Sequence, residues 1–232
     1  MFILTPKINF MKSYLLALFL LPALFSSAQL TKSYPIDRFV TVQMPDEFQS
    51  TDTLGQSIST GYTDYAMISV SKMEIAAGEG VSVRDQRSLA EFYTGFRKGV
   101  VRSFGATLIA EDITEHNGLT WNHFSCRVTN EDGVNIRHCE VLFLQNAIYS
   151  MQYWIAESDI ADSNLLIEQK QFFSSIKTAP ELTHADQYND EAVNLTRGDN
   201  AENLGKLTGF IIIAVIILYF VIQNKRKKKQ LP

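Results

Sequence analysis

Residues 119–144 read LTWNHFSCRVTNEDGVNIRHCEVLFL, two stretches of alternating side chains joined across Asp132-Gly133. Asp-Gly between alternating segments signals a hairpin, because a type I′ turn needs positive φ at both central positions. A turn on those two residues puts Phe124, Cys126, Val141 and Phe143 on one face of a sheet. Trp121, His123, Ser125 and Arg127 share the other face with His138, Glu140, Leu142 and Leu144. Both faces turn apolar toward the Leu119 and Leu144 end, so both must be covered, and the hairpin belongs inside a layered fold.

Working outward, alternation over Thr107 to Glu115 and Ala147 to Ala156 extends the hairpin into a four-strand meander. Upstream, Leu89, Phe92, Tyr93, Phe96 and Val100 recur at the three-and-four spacing of a helix face, which predicts a helix over Asp85 to Phe104 ending at Gly105. Arg38 to Met44 alternates and stops at Pro45, and Ser57 to Tyr62 and Tyr65 to Ile75 read as further strands. Downstream, Asp159 to Ile176 reads as a second helix with Leu165, Leu166, Phe172, Phe173 and Ile176 inward and Ser158 placed to cap it. Strands, helix, four strands and helix spell an α+β domain, an antiparallel sheet with helices packed on it.

That order resembles the PsbP-like and DcrB-like extracytoplasmic α/β/α sandwiches. The likeness rests on a strand ending in Met44-Pro45, an aromatic-rich helix before a meander, and a last helix closing on Phe172, Phe173 and Ile176. It covers Pro35 to Ile176. The resemblance implies a non-catalytic accessory or binding module, often tethered to a membrane, and implies no role for any single residue.

The two ends set the expected location. Met11-Lys12, an apolar run from Tyr14 to Phe25 and the small residues Ser26-Ser27-Ala28 follow the order of a secretory signal, with cleavage after Ala28; either Met1 or Met11 can be the start. The run is too short for a hydrocarbon core about 30 Å thick. Residues 206–223 are long enough, apolar from Leu207 to Ile222 apart from Thr208, and they precede Lys225, Arg226, Lys227, Lys228 and Lys229. The positive-inside rule keeps that cluster cytoplasmic. The organisation expected is a signal peptide over 1–28, an extracytoplasmic domain over 29–176, a flexible linker over 177–205, a transmembrane helix over 206–223 and a basic tail over 224–232. Polar composition argues for the linker, since few large apolar residues are there to offset ordering entropy. Asn194-Leu195-Thr196 and Arg197-Gly198-Asp199 lie in it as triplets short enough to recur by chance.

All 25 acidic residues fall between Gln29 and Leu204, against about 13 Lys and Arg, a local net charge near −12. Such a domain repels phosphate backbones, which excludes nucleic acid as a natural partner. If the turn sits on Asp132-Gly133, Cys126 falls opposite Cys139 in a non-hydrogen-bonded pair, close enough for a disulfide outside the cytoplasm. Two alternatives stand: buried thiols, or a four-residue turn from Asn130 to Gly133 that slips the register and separates them. His123, His138 and Glu140 gather on the mixed face, the components of an open metal site or an acid/base pair, although without the repeated spacing of a metal motif. A solvated face with an Arg127 and Glu140 ion pair is the plainer reading. Tyr149, Tyr153 and Trp154 suit either a pocket or the core.

No phosphate loop, His-Glu-x-x-His, Gly-x-Ser-x-Gly or Cys-x-x-Cys occurs in the chain. The expectation is a single-pass, membrane-anchored, extracytoplasmic binding or accessory module of the bacterial inner membrane, non-catalytic and without a cofactor. It engages an envelope protein or a small ligand, and its C-terminus is cytoplasmic. The alternative is an envelope enzyme or metal-binding protein built on His123, His138 and Glu140.

Overall fold

The computed structural model describes residues 30–53, 55–75, 81–130, 133–188 and 201–209. Its centre is a seven-stranded antiparallel sheet in the order β3-β4-β5-β9-β8-β7-β6. The strands are β3 (Phe48–Thr53), β4 (Gln56–Tyr62), β5 (Met67–Glu74), β6 (Thr107–His116), β7 (Leu119–Asn130), β8 (Gly133–Leu144) and β9 (Ala147–Ala156). A smaller sheet, β1-β2-β10, combines β1 (Leu30–Pro35), β2 (Val40–Pro45) and β10 (Lys177–Thr178). The meander forms as its alternation requires, and the fold is α+β.

Two helices cover opposite faces of the large sheet. Helix α1 (Gln86–Ser103) starts at Asp85, whose carboxylate accepts from the Ser88 amide at 2.7 Å while the Ser88 hydroxyl accepts from the Asp85 amide. It stops where Gly105 turns left-handed at φ 58°. Leu89, Phe92, Tyr93, Phe96 and Val100 are buried against Phe124, Cys139, Val141, Phe143 and Ile148. At the other face, α2 (Ser163–Ser174) and the small sheet bury Leu165, Phe172, Val40, Val42 and Met44 against Trp121, Leu142, Leu144, Tyr149, Met151 and Tyr153. That layer is therefore part helix and part sheet rather than helix alone.

Helix α2 begins later than the periodicity predicts. Glu157–Asp159 forms a 3-10 turn, the Ser158 hydroxyl bonds Asp159, and the cap is Asp162, which accepts from the Asn164 amide at 2.8 Å. Leu165 and Phe172, two helical turns apart, face the core, which carries Leu166 to the solvent side at 50% exposure. Glu168 lies on the inward face, 7% exposed, taking hydrogen bonds from the Thr63 hydroxyl (2.6 Å) and the Tyr153 hydroxyl (2.9 Å).

The fold continues past Ile176, which corrects the expected linker. Lys177 and Thr178 pair with Thr41 and Val40, and a 3-10 turn follows at His184–Gln187. Gln187 is wholly buried. Its carboxamide donates to the carbonyls of Thr120 (2.9 Å) and Phe143 (3.1 Å) and accepts from the Thr120 amide (2.7 Å). Polar composition misleads here because these hydrogen bonds, together with the single buried leucine Leu182, anchor the segment. Asn194 to Asp199 lies outside the described residues.

Residues 201–209 are helical and lie on α1. The crossing is close because two glycines meet: a Cβ on Gly99 would overlap the Glu202 carbonyl, and one on Gly205 the Phe96 carbonyl. Arg102 pairs with Glu202, which also holds Lys206 at 2.9 Å. Among the described residues no helix is long and apolar enough to cross a membrane. Most of the stretch from Leu207 to Ile222, and Lys225, Arg226, Lys227, Lys228 and Lys229, lie outside them, as do the first 29 residues.

Two consequences are measurable. Gly to Ala inside a helix ordinarily gains about 1 kcal/mol. Gly99→Ala should instead undock residues 201–209, read as lost amide-exchange protection there with α1 and the sheet unchanged; retained protection would refute the crossing. Burial raises the Glu168 pKa above the usual carboxylate value, the two hydroxyl donors lowering it only in part. A raised folded pKa means stability declines as pH rises from about 4.5 through the folded value. Glu168→Gln keeps an acceptor oxygen, so its melting temperature should not show that decline.

Candidate functional site

The register of β7 and β8 decides which side chains meet. Asn130 pairs with Gly133, so the chain reverses through the four residues from Asn130 to Gly133 rather than on Asp132-Gly133. Gly133 takes φ 129°, a conformation that favours glycine, at the first position of β8. Partners move by two residues: Cys126 faces Arg137, and Cys139 faces Phe124. The cysteines are diagonal neighbours, about 7–8 Å apart in such a ladder and out of disulfide reach. Both are buried free thiols, each with its pKa raised by burial. A shift of two leaves every residue on its expected face.

On the α2 face, His123 of β7 lies directly opposite Asp112 of β6 and Glu140 of β8. Its Nδ1 is 3.2 Å from Glu140 Oε1 and its Nε2 is 2.6 Å from Thr114 Oγ1. An ionised carboxylate only accepts, so Nδ1 carries a proton, and in the neutral imidazole Nε2 accepts from the Thr114 hydroxyl. The result is a carboxylate, imidazole and hydroxyl in line across three strands. Arg127 does not join Glu140; it pairs with Glu157 at 2.5 Å.

His138 stands apart. It lies opposite Ser125, whose Oγ is 2.8 Å from His138 Nδ1, and burial lowers its pKa. Both nitrogens of His123 and Nδ1 of His138 are thus engaged within the protein. Among the described residues no group of three His, Cys, Asp or Glu is placed to hold a metal.

The His123 row forms one wall of a cleft of about 410 Å³ between β6–β8 and the C-terminal half of α2. Trp121, Thr114, Glu115 and His116 line it from the sheet, and Lys170, Phe173, Ser174 and Ile176 from the helix side. Trp121 is 3% exposed, and its indole nitrogen has no hydrogen-bond partner among the described residues. A buried N–H without a described partner, in the wall of a cleft that Lys170 and Thr114 also line, suits a ligand oxygen. Trp121 and Lys170 were not identifiable as site residues from sequence; only the packing of α2 on β7 brings them together. Tyr149 and Tyr153 belong to the core, while Trp154 lies on the opposite face.

On that opposite face Arg137 is 1% exposed, its guanidinium carbon 3.4 Å from the Phe104 ring centre and 3.1 Å from that of Trp154. Its nitrogens have no hydrogen-bond partner among the described residues, so the aromatic faces alone hold the charge. Burial draws its pKa down.

Neither a protein-family model nor a curated protein sequence matches this chain. Among solved structures, it is similar to the solution structure of cyanobacterial PsbP from Synechocystis, at 16% identity and a TM-score of 0.48, covering 66% of this chain and 94% of that one. A Pseudomonas aeruginosa protein of unknown function matches at 11% identity and a TM-score of 0.38, over 60% of this chain and 92% of that one. A Bacteroides thetaiotaomicron protein matches at 11% identity and a TM-score of 0.36, over 66% and 50% respectively. The PsbP likeness is one of fold, and it transfers no residue role and no activity.

The register carries a direct test. Thiol titration of chain purified without reductant should give two free thiols in denaturant and close to none in the native state. A count near zero in denaturant would mean that Cys126 and Cys139 are joined.

Proposed function

We propose that this chain is a non-catalytic binding or accessory module of the bacterial cell envelope. Its domain lies outside the cytoplasm, and residues 206–223 anchor it in the inner membrane with the basic tail inside. The observation that carries the binding role is the cleft under α2, with the spare indole N–H of Trp121 in its wall and Lys170 at its side. The membrane reading is supported by the apolar stretch and its flanking basic cluster. An envelope protein or a small oxygen-rich ligand is the expected occupant.

A photo-crosslinker at Ser174, on the rim of the cleft, should give a defined adduct in living cells that Trp121→Lys abolishes. The same group at Leu166, on the solvent side of α2, should give none. Absence of any adduct at Ser174 would overturn the role of the cleft. For the location, alkaline carbonate should leave the chain in the membrane pellet and protease added to spheroplasts should digest the domain; release by carbonate refutes the anchor.

One observation favours a second reading. The Glu140, His123 and Thr114 line can polarise a hydroxyl, as an acid/base enzyme requires. Ester hydrolysis above the buffer rate that His123→Ala and Thr114→Val both remove would establish it. Identical rates for all three proteins would eliminate it.

A further inference from the structure

Strand β6 forms one edge of the large sheet and pairs only with β7 among the described residues. Nine of its ten residues are exposed. They include Leu108 (39%), Ile109 (51%) and Ile113 (39%), three of the large apolar side chains most open to solvent. The opposite edge, β3, is built differently. It has six residues, FQSTDT, and its one large apolar side chain, Phe48, packs on Tyr34 with ring centres 4.9 Å apart. A long edge with free amides, free carbonyls and apolar side chains is a template for another strand.

Charge selects the occupant. An antiparallel pair of two copies centred on Ile113 would set Glu111 opposite Glu115, and one centred on Asp112 would set that carboxylate against its own copy. Like charges directly opposite destabilise a ladder. A pair centred on Leu108 and Ile109 avoids the acids but meets the bulge between Leu108 and Ala110. A pair centred on Thr114 opposes no acids but joins only residues 112–116, half of the strand, whereas an extended basic segment can match the whole edge.

Resting on the binding-module reading above, we infer that β6 accepts an extended segment of a partner protein as an eighth strand, with basic and apolar residues alternating on one side. Glu111, Ile113 and Glu115 share the α1 side of β6, since they pair with Phe124, Asn122 and Thr120. The partner strand meets them with basic, apolar and basic side chains. Glu111 and Glu115 are 50% and 63% exposed while in contact with Arg97 and His184, so each carboxylate keeps room for a cation from the added strand. Thr114 and His116 lie on the other side, at the rim of the cleft, so alternate side chains of the added strand point along its wall. Backbone bonds then supply affinity and the two faces supply specificity, as in β-augmentation.

The test uses the full-length chain in mild detergent and three synthetic peptides, TKTVTKT, TETVTET and TKTPTKT. TKTVTKT should bind and slow amide exchange along β6, and TETVTET and the proline peptide should bind at least tenfold more weakly. Reversal by Glu111→Lys with Glu115→Lys should transfer the preference to TETVTET, which also shows that the variant is folded. The proposal is overturned if no peptide binds, if basic and acidic peptides bind alike, or if binding leaves β6 amides unprotected. It is equally overturned if the chain dimerises with β6 protected and Ile113→Lys abolishes the dimer, since the occupant is then a second copy. A Ser174 adduct that persists without peptide binding removes only the strand proposal; peptide binding without that adduct removes only the cleft.

Discussion

A sheet buried on both faces forces every strand residue to suit the side on which it lands, and the rest of the molecule follows from that constraint. Phe124, Cys139, Val141 and Phe143 meet α1, while Trp121, Leu142 and Leu144 meet α2 and the small sheet. A register error of one residue would exchange these sets and bury His123 and Glu140 under α1. An error of two leaves both cores intact and changes only which neighbours touch. The hairpin is thus strongly determined as to face and more weakly as to partner, and the closing Asn130 and Gly133 pair settles the latter.

Buried polar groups mark where this economy is exceeded. Gln187 and Glu168 are each met by donors or acceptors from distant segments, so they tie the chain's late elements to the sheet at little cost. Arg137 lacks such partners among the described residues and relies on two aromatic faces. A cation held in that way contributes less than a hydrogen-bonded pair would, and it ties the C-terminal end of α1 to β8 and β9 through Phe104 and Trp154.

What could be read from sequence follows the same division. The meander, α1 and the two faces of the sheet were legible because alternation and three-and-four spacing report burial directly. β1 and β3 were not, since LTKSYP and FQSTDT carry no clear period and gain their structure from neighbours. The start of α2 was misplaced because Ser158 and Asp162 are both competent caps, and only the preceding 3-10 turn chooses between them. The site was half legible: His123 and Glu140 could be placed together by parity, but His138 falls one row away, beside Ser125. Thr114 needed the pairing of β6, and Lys170 the docking of α2, while Trp121 was already on the His123 face without anything to mark it as part of a cleft.

The two sides of the sheet also divide the work. The cleft opens on the α2 face, whereas residues 201–209 sit on α1, behind the opposite face. Residues 201–209 thus bring the chain to the α1 side immediately before the segment proposed as the anchor. β6 lies where the two sides meet, with Glu111 tied to Arg97 of α1 and Thr114 to His123 of the cleft. A strand added there would touch both layers, so its occupancy would be felt by α1 and by the cleft together.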